Sequence, residues 1–314
     1  MKLIENTRAG MRYLHWSFPR TCAYFIKGVA RELGIAPGFF DRRYRKVVSS
    51  ELKRRWLRRV GGESWFEFNG MKLPDVSGSP EKLCGLAYVL NDVFLFPCYY
   101  GDLYDKALVE KIDRYNMMEG PYGYVDEPFD VRVQKGDIVI DAGAWIGDFS
   151  AYVVARGATV HAFEPVEETF RLLCKTRELN GNTILPVRAG LGSKEQEVDI
   201  AINASNSGAN TMIGEHGAGR YERVRITTLD KYVEEQGLER VDFIKADIEG
   251  AEREMLKGAV NVLRRFAPKL SICTYHLPDD PVVLEQIIRE ANPDYTVKHL
   301  RNKLFAAVVK HDLP

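Results

Sequence analysis

Hydrophobic and polar positions change rhythm near residue 130. Upstream, Val48, Leu52, Trp56 and Val60 recur every four positions among Lys53, Arg54, Arg55, Arg58 and Arg59, which predicts a basic amphipathic helix over 45–60. A second helix is expected over 102–117, ended by the breaker-rich loop Gly120-Pro121-Tyr122-Gly123-Tyr124. Downstream, short β-branched runs alternate with helical stretches, the pattern of βαβ units around a parallel sheet. Strands are expected at 137–141, 159–163, 184–189, 241–246, 269–274, 295–300 and 304–309, and helices at 147–156, 166–180, 250–265 and 281–291. Between the third and fourth strands, Val198, Ile200 and Ile202 alternate with Asp199, Ala201 and Asn203, and Val224 is followed two residues on by Ile226. Period two means half-buried strands, so an added β-hairpin is expected in an insertion at about 195–228, with Asn206 in its polar tip. The fold class is α/β: a mostly helical region over 1–125, then a Rossmann-like domain over 126–314.

Charge sharpens that division. The 314 residues balance 44 Lys and Arg against 44 Asp and Glu, yet residues 1–60 hold fifteen cations against Glu5, Glu32, Asp41 and Glu51. That segment carries +11 and the remainder −11. Two readings of 42–60 follow: a helix packed on its own domain through Leu52 and Trp56, or peripheral contact with an anionic membrane or charged partner. Five scattered cysteines without C-x-x-C speak against a disulfide framework or a zinc site. No apolar run approaches the ~18 residues of a membrane span, and the N-terminus lacks the apolar core of a signal peptide. A cytoplasmic protein is expected, with membrane contact at most peripheral and no nucleic-acid partner.

Candidate chemistry begins where the first predicted strand, Asp137 to Asp141, runs into Ala142-Gly143-Ala144-Trp145-Ile146-Gly147. Glycines at such a turn let the backbone pass close to a nucleotide. The next strand ends in Phe163-Glu164-Pro165, which places a carboxylate where Rossmann-type folds bind a ribose diol. A carboxylate at the head of the loop, Asp141, would repel the pyrophosphate of a dinucleotide but attract the sulfonium and ammonium of S-adenosylmethionine (SAM). Gly-x-x-x-Gly also departs from Gly-x-Gly-x-x-Gly.

Asp137 to Phe149, Ala162 to Pro165, Phe243 to Glu252 (FIKADIEGAE) and Tyr275-His276 with Asp280 together resemble the FkbM-type SAM-dependent methyltransferases, over roughly residues 120–310. The resemblance implies a class I methyltransferase sheet of seven strands, the last antiparallel, and methyl transfer commonly to hydroxyls of sugars and related metabolites. It implies that Asp141, Gly143, Ala144 and Gly147 line the methionine and ribose, that Glu164 and Pro165 hold the ribose side, closed by Asn180, and that Ala189 and Gly190 flank adenine.

The fourth strand runs into Asp247-Ile248-Glu249-Gly250 and the fifth into Tyr275-His276; both tips should face the transferred methyl. Asp247, also counted with the cofactor residues, Glu249 and His276 could orient a substrate hydroxyl, take its proton or bind a divalent cation. His276 as general base is preferred over the cation site. Tyr122, Tyr124, Tyr275 and Asn206 are candidate substrate contacts. The expected activity is O-methylation of a hydroxyl on a sugar, glycoconjugate or related metabolite. N-methylation of a peptide or small molecule, and a non-catalytic SAM-binding scaffold, are the alternatives.

Overall fold

The computed structural model describes residues 18–32, 37–68, 70–79, 82, 86, 121–202 and 221–309. The helix expected over 102–117 and the hairpin-tip residue Asn206 lie outside them.

Two helices open the described chain, α1 (Phe18–Glu32) and α2 (Pro37–Trp56). The amphipathic stripe forms as expected through Val48, Leu52 and Trp56, which are all buried, but the helix stops at Trp56 instead of 60. What stops it is a hairpin, β1 (Leu57–Val60) against β2 (Glu63–Phe68), with Val60 paired to Glu63 across Gly61-Gly62. Both glycines have positive φ, 60° and 87°, as a two-residue turn matched to strand twist requires. A third strand, β3 (Met71–Pro74), completes the small antiparallel sheet. The expectation that 1–125 is mostly helical therefore misses this sheet. With Val48, Leu52 and Trp56 covered, any contact of 42–60 with an anionic surface would rest on its cations and the exposed Val60.

This sheet packs onto the back of the main domain. Val48, Leu52, Trp56, Phe66 and Leu73 share one apolar cluster with Phe149, Tyr152 and Leu173. These last three come from α3 (Asp148–Ala155) and α4 (Glu167–Asn180).

After the short hairpin β4 (Tyr124–Asp126) and β5 (Phe129–Val131), the main sheet is built from β6 (Ile138–Ala142), β7 (Thr159–Phe163) and β8 (Ile184–Val187), then β12 (Phe243–Ala246), β13 (Lys269–Cys273), β14 (Tyr295–Leu300) and β15 (Lys303–Val308). Their order is β8-β7-β6-β12-β13-β15-β14, with β15 antiparallel to both neighbours and the rest parallel. This is the seven-stranded Rossmann-like sheet with an antiparallel last strand. Its order reverses at β6, flanked by β7 and β12, so a crevice opens beyond the carboxyl ends of these strands.

The insertion forms the expected hairpin, β10 (Gln196–Ala201) against β11 (Tyr221–Thr227), and β11 also pairs in parallel with β9 (Gly190–Leu191). Ile200, Val224 and Ile226 pack on Val166 and set the hairpin beside the crevice. The helix expected over 250–265 is two helices, α6 (Glu252–Lys257) and α7 (Val260–Phe266). Asp230, at the start of an unforeseen helix α5 (Leu229–Glu235), causes the break. Its amide donates to the Gly258 carbonyl at 2.9 Å, and its carboxylate accepts from the Asn261 and Val262 amides at 3.0 and 2.9 Å. The last helix, α8 (Asp280–Ala291), leads into β14. Among the described residues no helix is long and apolar enough to cross a membrane.

Candidate active site

The crevice is a cleft of about 650 Å³ of atom-free space, partly open to solvent. Its floor is the turn after β6. Gly143 holds φ 76°, and a Cβ there would sit 2.0 Å from the Asp247 carbonyl oxygen, so only glycine lets this turn meet the tip of β12. The amides of Gly143 and Ala144 donate to the Phe163 carbonyl at 3.1 and 2.9 Å, tying the turn to β7. Trp145 and Glu249, both at the rim, have positive φ (50° and 54°), an unfavourable backbone state for such residues.

Glu164 stands at the end of β7, buried yet lining the cleft. Its oxygens accept the Trp145 amide at 3.1 Å, the Val166 amide at 3.0 Å and the Thr169 hydroxyl at 2.7 Å. Burial outweighs these bonds and pushes its pKa up to about 7.

Asp141 differs from its expected place. It is fully buried, faces Lys245 Nζ at 3.1 Å, accepts from Ser150 Oγ at 2.7 Å, and does not line the cleft. Lys245, one strand over, donates onward to the Gly143 carbonyl at 2.7 Å. Asp141 thus anchors a lysine that clamps the turn, and that ammonium neutralises the charge expected to attract a sulfonium. The sign argument passes to other residues. Among the described residues lining the cleft are Glu164, Asp247 and Glu249 and no Lys or Arg. Such a lining offers a pyrophosphate no cationic side chain and suits a cationic ligand such as SAM better.

At the opposite end, Asp247 accepts Tyr122 Oη at 2.7 Å on one carboxylate oxygen and Tyr275 Oη at 3.0 Å on the other. Burial pushes its pKa up, but the ammoniums of Lys303 and Lys245 outweigh burial and hold the group well below the usual carboxylate range. Lys303 is itself fully buried, 3.8 Å from the centre of the Tyr122 ring and donating to Cys273 Sγ at 2.7 Å.

His276 sits within a ring of acids. Nδ1 lies 3.1 Å from Glu252 Oε1; Nε2 lies 3.7 Å from Asp247 Oδ1 and 3.6 Å from Glu249 Oε2. Burial lowers its pKa, but Glu249, Glu252 and Asp247 outweigh this and raise it to about 10. The acids around it favour the protonated imidazole, which weighs against a role as general base.

Of the expected cofactor residues, Gly143, Glu164, Pro165, Gly190 and Asp247 line the cleft. Ala144, Gly147 and Ala189 are close in sequence to that lining without forming it. Asn180 goes elsewhere: at the far end of α4, it accepts the Lys72 amide at 2.9 Å and donates to the Lys72 and Thr176 carbonyls at 2.6 and 2.7 Å. It brackets β3 and is no part of the cleft. Tyr124, an expected substrate contact, stacks on Phe305 at 5.4 Å and belongs to the core. Of the substrate candidates, Tyr122 and Tyr275 stand at Asp247. Sequence reading passed over Lys245, Glu252 and Lys303, and the wall residues Trp145, Ile200 and Ile226. A lysine or glutamate within apolar runs, as in Phe-Ile-Lys-Ala or Lys-Leu-Phe-Ala-Ala, was the available signal for a buried and therefore paired charge.

The family description "Methyltransferase FkbM domain" matches residues 141–305, just over half of the chain. The chain belongs to the FkbM methyltransferase family. It is similar to the hexuronic acid methyltransferase AglP of Haloferax volcanii, 31% identical over 162 residues that cover 51% of this chain and 64% of that protein. The methyltransferase sdnD of Sordaria araneosa is 27% identical over 169 residues, 43% of this chain and 65% of that one. This FkbM chain therefore spans a little under two thirds of either relative. A crystal structure of methyltransferase FkbM from Methylobacillus flagellatus KT has 21% identity and a TM-score of 0.46, covering 85% of this chain and 60% of that one.

Proposed function

We propose that this chain transfers the methyl group of SAM to a hydroxyl of a sugar or glycoconjugate. The observation that carries the reading is the cleft itself, lined among the described residues by Glu164, Asp247 and Glu249 without a cation, at the switch point of a class I sheet. Membership of the FkbM family and the likeness to a hexuronic acid methyltransferase support it. When bound, SAM supplies an electrophilic methyl on a sulfonium. Glu164 accepts hydrogen bonds from the ribose hydroxyls, as its position at the end of β7 allows. Asp247 and Glu249 place negative charge near the sulfonium and hold the acceptor hydroxyl. Asp247, held ionised by Lys245 and Lys303, is a weak base, which suits orientation of the acceptor hydroxyl over removal of its proton.

The test is transfer of radiolabelled methyl from SAM to purified glycan, peptide and small-amine fractions. An alkali-stable product on the glycan is the expected result. An alkali-labile ester would move the acceptor to a carboxyl group, label on peptide or amine would establish N-methylation, and binding of SAM without transfer to any fraction would leave a scaffold.

A further inference from the structure

The His276 side chain is enclosed, 8% exposed, and its Nε2 has no hydrogen-bond partner although it points between two carboxylates. A buried imidazole nitrogen left unbonded costs free energy unless something occupies the space in front of it. One ligand atom from each of Asp247, Glu249 and His276 lies within 4.8 Å of the others. Donors around a divalent ion at about 2.0–2.3 Å stand about 3–4 Å apart, and the two distances from Nε2 fall in that range. The other ring nitrogen also makes no hydrogen bond by geometry, but it stands beside a carboxylate. Nδ1 faces the fully buried Glu252, whose Oε1 is itself held by the Ile248 amide at 2.9 Å. A carboxylate behind the distal nitrogen is the arrangement that turns a metal-binding histidine toward its ion.

We infer that Asp247, Glu249 and His276 form a site for one divalent cation of the magnesium and manganese class at the rim of the cleft. Two carboxylates and one imidazole make a mixed oxygen and nitrogen set, which suits these ions better than a thiolate-seeking metal. The charge of the ion offsets Asp247 and Glu249 on the open side while Lys245 and Lys303 offset Asp247 from the interior. Tyr122 and Tyr275 use one lone pair on each Asp247 oxygen, which leaves Oδ1 a second for the cation. A hydroxyl bound to the ion would be more acidic.

The inference rests on the proposed function only for the use made of the ion, so the experiment separates the two. Mn²⁺ binding to the full chain is followed by loss of the free-ion paramagnetic resonance signal, and S-adenosylhomocysteine binding is measured on the same samples by calorimetry. One Mn²⁺ per chain is expected, at least about tenfold weaker in Glu249→Gln and in His276→Ala. Glu249→Gln is the safer variant, because the Glu249 side chain reaches solvent. Mn²⁺ that fails to bind at millimolar concentration, or that binds both variants as well as the wild type, overturns the metal site. S-adenosylhomocysteine binding without Mn²⁺ binding leaves the proposed function standing and removes the metal. The reverse outcome removes the proposed cofactor and keeps the ion.

Discussion

The two ends of the cleft are built from different materials. At the Glu164 end, the Gly143 turn is tied down by main-chain bonds to Phe163, and the carboxylate is held by two amides and a hydroxyl. At the Asp247 end, charged side chains from four places converge: Lys245 on β12, the 247–252 segment, His276 after β13, and Lys303 on β15. Main-chain geometry tolerates little variation and suits a constant ligand. An array of side chains can be retuned residue by residue and suits an acceptor or an ion.

The sharpest way to break this contrast is Gly143→Ala. Its added methyl meets the Asp247 carbonyl at 2.0 Å in a backbone state that disfavours alanine, so both ends should fail together. Calorimetry should find S-adenosylhomocysteine affinity down by about a hundredfold or more. Retained affinity would mean that the turn is more yielding than its packing implies.

Glu164→Gln tests the main-chain end alone. Loss of a charge-assisted contact to the ribose should weaken S-adenosylhomocysteine by about tenfold or more, whereas Glu249→Gln should change it by no more than about twofold. Equal losses in the two variants would erase the distinction.

A smaller effect follows from acidity. With its pKa raised to about 7 by burial, Glu164 is partly protonated at neutral pH, and only the ionised form offers acceptors alone to a diol. Affinity for S-adenosylhomocysteine should rise a few-fold between pH 6 and pH 8, and the rise should vanish in Glu164→Gln. Stability runs the other way. A raised carboxyl pKa gives the folded state an advantage that is complete below the ordinary glutamate value and is lost as pH climbs through about 7. Thermal melts of the ligand-free protein should show that component declining over the pH range in which affinity improves.

The smallest expected change in affinity belongs to Asn180→Ala. As a bracket on Lys72 it should cost about 1 kcal/mol of stability, read as a small drop in Tm, with ligand affinity unaltered. A drop in affinity without a drop in Tm would return Asn180 to the cofactor.

The main-chain end was the legible one. Glycine spacing and a carboxylate one strand away are local in sequence, so β6, the Gly143 turn, β7 and Glu164 were all foreseen, with strand limits within a residue. Asp141 shows where such reasoning stops: its place on the strand was right and its partner wrong, because Lys245 lies 104 residues further on. Lys303 and Glu252 escaped for the same reason, their roles being set by neighbours that pairing across the sheet brings near. Gly61-Gly62 and Asn69-Gly70 between apolar runs are ordinary hairpin signals, which the stronger helical period of Val48, Leu52 and Trp56 masked.

The shared packing of β1 to β3 with α3 and α4 bears on where this protein can be cut. A fragment starting at residue 126, the natural choice from its motifs, would strip β3 from α3 and α4 and uncover part of their apolar surface. Such a fragment should self-associate, for all that its seven strands are complete. Those who want the sheet alone in solution should retain the chain from residue 37 onward, because its lid of β-structure serves as the missing half of that face.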